Sequence, residues 1–297
     1  MPPVLLVYLI VVTCLMPEVA YAWGPGTHLE VALHALGFAP AALPAIRALL
    51  RRYPDEFIYG AVSPDIIQAK KFAGYKYHCH NWDIGMMILE KAKTEPLKAA
   101  AYGYLTHLAA DTVAHNYYVP YKMIRSFSTR SLSHTYWEMR FDLHVPPVAW
   151  ERMPQVIQKD YTDFDHLLER VLKRTLFTFK TNKKIFNTLL TLQRLKQLRQ
   201  TLISYSRASR WTLKEERIRH YKQLTFRTVE DFLSGLGRAP CLKADPSGQR
   251  KQSYARAMRR KMKKVKNAPA VLEQVRKSLL ASLFDPGALL PDVEDLL

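Results

Sequence analysis

Residues 97–118 read Leu-Lys-Ala-Ala-Ala-Tyr-Gly-Tyr-Leu-Thr-His-Leu-Ala-Ala-Asp-Thr-Val-Ala-His-Asn-Tyr-Tyr. Residues four apart lie about one helical turn from each other on the same face. The spacing His107-x3-Asp111-x3-His115 therefore predicts a helix that carries three metal-binding side chains in a row. Downstream, His134-x3-Glu138 repeats the step and predicts a second such helix. Helical periodicity recurs at Leu29, Ala32, Leu33 and Leu36 and from Ile84 to Lys93, while strand-like alternation is hard to find. The expected class is all-α. Pro40, Pro44, Pro54, Pro64, Pro96, Pro120, Pro146, Pro147 and Pro154 fall between the periodic runs, where proline starts or breaks helices.

One His-x3-Asp pair on a half-apolar helix is ordinarily a satisfied core or surface feature. Here the pattern occurs twice, and its surroundings (Leu105, Leu108, Ala109, Ala110, Val113, Ala114) are apolar. Polar groups buried there without partners are costly, and a metal or a hydrogen-bond network offsets the cost. Imidazole with carboxylate and little thiolate suits zinc in an open site better than a closed cysteine-rich structural one.

An apolar run from Val4 to Leu15, closed by Ala20-Tyr21-Ala22, has the form of a signal peptide over residues 1–22. Cleavage there leaves Trp23 as the first residue. The expected organisation is a zinc-site helical region over residues 23–150 and a basic helical region over 151–297, packed on the same domain. Beyond the leader only Cys79 and Cys241 remain, too few for a disulfide framework. The formal net charge is +18, and it is unevenly placed: residues 151–297 carry 31 Lys+Arg against 15 Asp+Glu, and residues 1–150 carry 13 against 11. The densest parts are Lys183 to Arg199 and Arg250 to Lys266. Such runs are solvated helix faces or attract polyanions, whether anionic lipid surfaces or nucleic acid. Leu189, Leu192, Leu195, Leu198 and Leu202 run through the first as a core-facing stripe. Gly235, Gly237, Pro240, Pro246 and Gly248 mark a loop between the two.

Further candidates precede the ladder: His28, Asp65 in Ser63-Pro64-Asp65, and His80 at the head of His-Asn-Trp-Asp, with His78 as its alternative. With Trp-Gly-Pro-Gly-Thr-His from Trp23, these motifs resemble the zinc-dependent phospholipase C family, which shares an ancestral site with the zinc-dependent single-strand nucleases. The ladder is most similar to the catalytic domain of glycosylphosphatidylinositol-specific phospholipase D. The resemblance covers residues 23 to 145 and implies a multi-helix bundle, to which the basic helical C-terminal extension, carrying no assignable motif, is appended.

It further implies three zinc ions. Trp23 would hold one through its α-amine and carbonyl, with His28 and Asp111. Asp65, His80 and His107 would hold a second, bridged to the first by Asp111. His115, His134 and Glu138 would hold the third. The implied reaction is hydrolysis of a phospholipid head-group phosphoester by attack of zinc-bound hydroxide on phosphorus, with Asp65 as the carboxylate that orients or deprotonates water. The family's bacterial phospholipases and nucleases place five residues between the bridging aspartate and the next histidine; this chain places three.

The expected partner is a phospholipid or anionic membrane surface, and the expected location is exported, periplasmic or secreted, with membrane association. A zinc nuclease acting on nucleic acid, or a non-enzymatic cationic protein with a structural metal site, are the alternatives. No protein partner is inferable. The chain has no Gly-x-Ser-x-Gly elbow, Walker loop, Rossmann glycine fingerprint or zinc-finger cysteine spacing.

Overall fold

The structure is a computed structural model that describes residues 23–38, 43–66, 79–129, 134–172, 178–194, 200, 203–204, 209, 211–292 and 294–296. The leader expected over residues 1–22, His78, and Leu195, Leu198 and Leu202 of the leucine stripe lie outside these. So do the side chains of Leu189, Leu192 and His134.

All-α is what the chain forms; no strand occurs among the described residues. The helices are α1 (Pro25–Phe38), α2 (Pro44–Arg52), α3 (Pro54–Val62), α4 (Trp82–Lys91), α5 (Glu95–Val113), α6 (Val119–Arg125), α7 (His134–Asp142), α8 (Pro147–Ile157), α9 (Thr162–Val171), α10 (Phe179–Arg194), α11 (Glu215–Gly235), α12 (Gln249–Lys261) and α13 (Ala268–Ala281). Proline stands in the first two positions of α2, α3, α5, α8 and α13, where its missing N–H has no helical partner to lose. Pro154 corrects the reading of proline as a break, for it lies inside α8. It is in that helix's second half, so its ring costs one backbone bond close to the end.

The long helix α5 is the centre of the bundle, and all of its residues from Gly103 to Val113 are buried. Two glycines allow α3 to lie on it backbone to backbone. A Cβ at Gly60 would fall 1.9 Å from the Ala100 carbonyl oxygen, and one at Gly103 would fall 2.0 Å from that of Phe57. Close contact here fixes the distance between the end of α3 and the face of α5 that carries His107.

Beyond Val113 the helix widens into a π turn, Ala114–Tyr118, before α6 begins. The backbone N–H of Val119 reaches Ala114 O, five residues back. Pro120 supplies the reason: it has no N–H to give Asn116 O and its ring crowds that carbonyl, so the turn opens. His115 lies in this turn.

The helices after residue 150 pack against the same centre. Lys222 of α11 donates to Glu30 of α1 at 2.7 Å and to His144 O at 2.8 Å, and Trp82 Nε1 donates to Ala244 O at 2.9 Å. The expected loop between the basic regions is a series of short 3-10 turns, Leu236–Arg238 and Pro240–Lys243. It ends at Gly248, whose φ of 58° starts α12. Cys79 and Cys241 are both buried, and neither forms a disulfide. No helix among the described residues is long and apolar enough to cross a membrane.

Candidate metal centre

Asp111 sits on the buried face of α5 with its two oxygens facing different partners. Oδ1 lies 3.1 Å from His28 Nε2. Oδ2 lies 2.9 Å from His80 Nε2 and 3.2 Å from His107 Nε2. Asp65, on the 3-10 turn Ser63–Ile66 that follows α3, places Oδ1 3.6 Å from His80 Nε2 and 4.0 Å from His107 Nε2. All five side chains are buried. They form two overlapping trios, His28, His107 and Asp111, and Asp65, His80 and His107, with one candidate ligand atom per residue inside 4.8 Å of the others.

The second contacts of these residues set their orientation. His107 Nδ1 meets Ala61 O at 2.8 Å, so Nδ1 carries the proton and the Nε2 lone pair faces the cluster. That lone pair meets His80 Nε2 at 2.9 Å, an approach that needs a proton or a cation between the rings. The rings of His28 and His107 stack at 3.6 Å with 11° between their planes. Tyr104 Oη donates to Cys79 O at 2.6 Å and ties the His80 segment to α5.

Charge and burial act in opposite directions on this cluster. Burial alone would raise Asp111, but the imidazoles of His107, His28 and His80 hold it well below the usual carboxylate range. Burial lowers His28, and His107 adds to that against the pull of Asp111. His28 Nδ1 is buried with no hydrogen-bond partner among the described residues, and Asp111 meets only the imidazoles at the distances above. Buried polar atoms in that condition cost about 1–3 kcal/mol each. Imidazole nitrogen and carboxylate oxygen converging in this way form the donor set of zinc, and the residues fit it.

The N-terminal stretch is held by a residue that sequence reading missed. Asp142, at the end of α7, accepts from Gly26 N at 3.0 Å, Thr27 N at 2.9 Å and Thr27 Oγ1 at 2.5 Å. A Cβ at Gly24 would fall 2.2 Å from Asp142 Oδ2, and one at Gly26 would fall 2.2 Å from the Trp150 ring. Only glycine fits either position. Trp23 is fully buried, stacks on Tyr118 at 4.8 Å and donates from Nε1 to Ala110 O at 3.1 Å, next to Asp111.

His115 and Glu138 stand apart from the two trios. His115 Nε2 is 3.9 Å from Asp111 Oδ2, and its Nδ1 meets Gln252 Nε2 of α12 at 2.6 Å. The same amide nitrogen donates to Ser247 O, which leaves the His115 proton on Nε2. For Nε2 to bind a metal, the Gln252 amide must turn over and accept from Nδ1. Glu138 is buried on α7. Gln252 lies 137 residues from His115, and no local pattern announces it.

A buried cluster of imidazoles and carboxylates inside a helical bundle is a candidate metal centre in an all-α protein. Residues 27–184 match the family described as zinc dependent phospholipase C, more than half of the 297-residue chain, and the chain belongs to that family. Comparison with curated proteins and with solved structures gave no match. Membership implies a zinc-dependent phospholipase C hydrolase acting on phospholipid.

Proposed function

We propose that this protein is an exported zinc-dependent phosphodiesterase that hydrolyses phospholipid head-group phosphoesters. The observation that carries the proposal is Asp111, whose two oxygens address different imidazoles at 2.9–3.2 Å, as a carboxylate bridging a pair of ions must. Trp23, His28 and Asp111 would hold one zinc; Asp65, His80, His107 and Asp111 a second; His115, His134 and Glu138 a third. Zinc bound there supplies positive charge for phosphate oxygens and makes water a nucleophile at neutral pH.

The chain's own groups prepare the rest. Ala61 O holds the His107 proton at Nδ1, away from the cluster. Asp65 reaches the cluster from a turn rather than from α5, a position suited to orienting or deprotonating water. Asp142 holds Trp23 and His28 against α5 through Gly26 and Thr27. Removal of residues 1–22 would convert the Trp23 nitrogen from an amide into an amine able to bind metal. The basic excess lies in the C-terminal half, and Lys180, Lys183 and Lys184 of α10 line an open groove. This supports contact with an anionic lipid surface.

The test is to purify the chain beginning at Trp23 and to assay phosphatidylcholine, phosphatidylinositol and single-stranded DNA side by side, with and without chelator. Chelator-sensitive turnover of phospholipid is the expected result. Turnover of DNA alone would replace the lipase reading with the nuclease one. A variant keeping one extra residue before Trp23 should lose activity; full activity would rule out the main-chain ligand.

A further inference from the structure

We propose that the cluster where α6, α7, α11 and α13 meet is a second ligand site, one that binds the phosphate group of an anion and is built from residues other than the zinc candidates. Its centre is Lys122 on α6, only 1% exposed. The ammonium lies 5.6 Å from the Tyr118 ring, 5.9 Å from Tyr121, 5.7 Å from Trp137 and 5.6 Å from Tyr221. These faces attract a cation, but they offer no carboxylate and no strong acceptor.

Several other polar groups of the cluster are donors. The charges that bear on Lys122 are the guanidiniums of Arg125, Arg217 and Arg140, while the carboxylates of α7, Glu138 and Asp142, act on the Tyr118 ring beside it. Glu273, beside Arg276 on α13, is ion-paired with that arginine. Trp137 Nε1 and Tyr221 Oη are buried without a hydrogen-bond partner, and so is His220 Nε2, one residue along α11. Arg125 donates to Thr212 O at 3.1 Å and Arg140 to Trp211 O; Arg217 makes no side-chain hydrogen bond among the described residues, and its charge bears on Glu273 as well as on Lys122.

A buried ammonium among guanidiniums must either lose its proton or acquire an anion. Burial and the three arginines push Lys122 well below its ordinary range when no anion is bound. A neutral amine offers one lone pair, too few for Trp137 Nε1, Tyr221 Oη and Arg217 together. A phosphate offers three or four charged oxygens, and guanidinium and ammonium are the groups that bind them best. Inorganic phosphate and a phospholipid head group share this chemistry. The inference does not depend on the zinc reading, because none of these side chains is a metal candidate.

The test is calorimetric titration of the zinc-loaded protein with sodium phosphate at constant ionic strength, and separately with short-chain phosphatidic acid below its micellar concentration. Wild-type protein is compared with Lys122→Met and Arg217→Gln. Half-buried Arg217 can be changed without opening a cavity, so it keeps the test valid if Lys122→Met fails to fold. The expected result is a saturable site that Arg217→Gln weakens about tenfold or more with zinc content unchanged. The stronger of the two ligands identifies the source of the phosphate. Equal phosphate binding in wild type and both variants would assign it to the metal centre and overturn the proposal, as would a wild type that binds neither ligand.

Discussion

Gly103→Ala should destabilise this protein, although in most helices the same change does the opposite. The new Cβ would lie 2.0 Å from Phe57 O and 2.8 Å from Ala61 N, both backbone atoms that no side-chain rotation can clear. Restoring the 3.0 Å below which such contacts essentially never occur requires α3 and α5 to part by about 1 Å. Overpacking of this kind costs about 1–3 kcal/mol. The His107 bond to Ala61 O, 2.8 Å long, spans the same gap, and its loss adds about 1 kcal/mol. The intrinsic helix preference of alanine returns about 1 kcal/mol, which leaves a net loss of about 2 kcal/mol. Gly37 provides the control, since nothing lies within 4 Å of a Cβ there and Gly37→Ala should gain up to about 1 kcal/mol. Urea denaturation of the two variants at unchanged m-value measures both effects, and the zinc content of Gly103→Ala reports on the site. If both substitutions stabilise alike, the backbone contact between α3 and α5 does not exist and the placement of Asp65 against His107 loses its basis.

Asp142→Ala should strip zinc from the Trp23 side of the cluster and cost roughly 2–4 kcal/mol, because three buried donors lose their acceptor. Burial raises the Asp142 carboxyl to about 6 against the hydrogen bonds that lower it. The folded state therefore binds the extra proton, and the stability this group contributes falls as pH rises from about 4 to 6. Urea midpoints of the two proteins should thus differ more at pH 5 than at pH 7; a gap that widens toward pH 7 contradicts the burial argument. Lys251 shows the reverse sign. It donates to Ser282 O at 3.1 Å, and burial followed by the charge of Arg250 lowers it to about 8. Between pH 8 and 10.5 the unfolded chain binds more protons, so wild-type stability should rise relative to Lys251→Met across that window, and parallel pH profiles would refute it.

Much of the centre is written locally in the chain. His107 and Asp111 share a helix face through their spacing alone, and His28, Asp65 and His80 belong to short motifs whose residue types already suggest metal binding. Proline marked most helix starts correctly, because the constraint on φ acts on the residue itself. Tertiary contacts were not legible. Asp142 acts across 116 residues on Gly26, Gln252 acts across 137 on His115, and no local pattern marks Lys122 as buried. Pro154 was misread because one lost backbone bond near a helix end costs less than the apolar contacts that keep α8 together.

The shared role of Asp111 is open to direct measurement by counting zinc in wild-type protein and in Asp111→Asn, each beginning at Trp23. Asparagine keeps the shape of the side chain but cannot offer two anionic oxygens. Wild-type protein should retain both ions of the pair through dialysis, and Asp111→Asn should lose both together. Loss of one ion alone, or of neither, would contradict a bridging aspartate at the heart of the site.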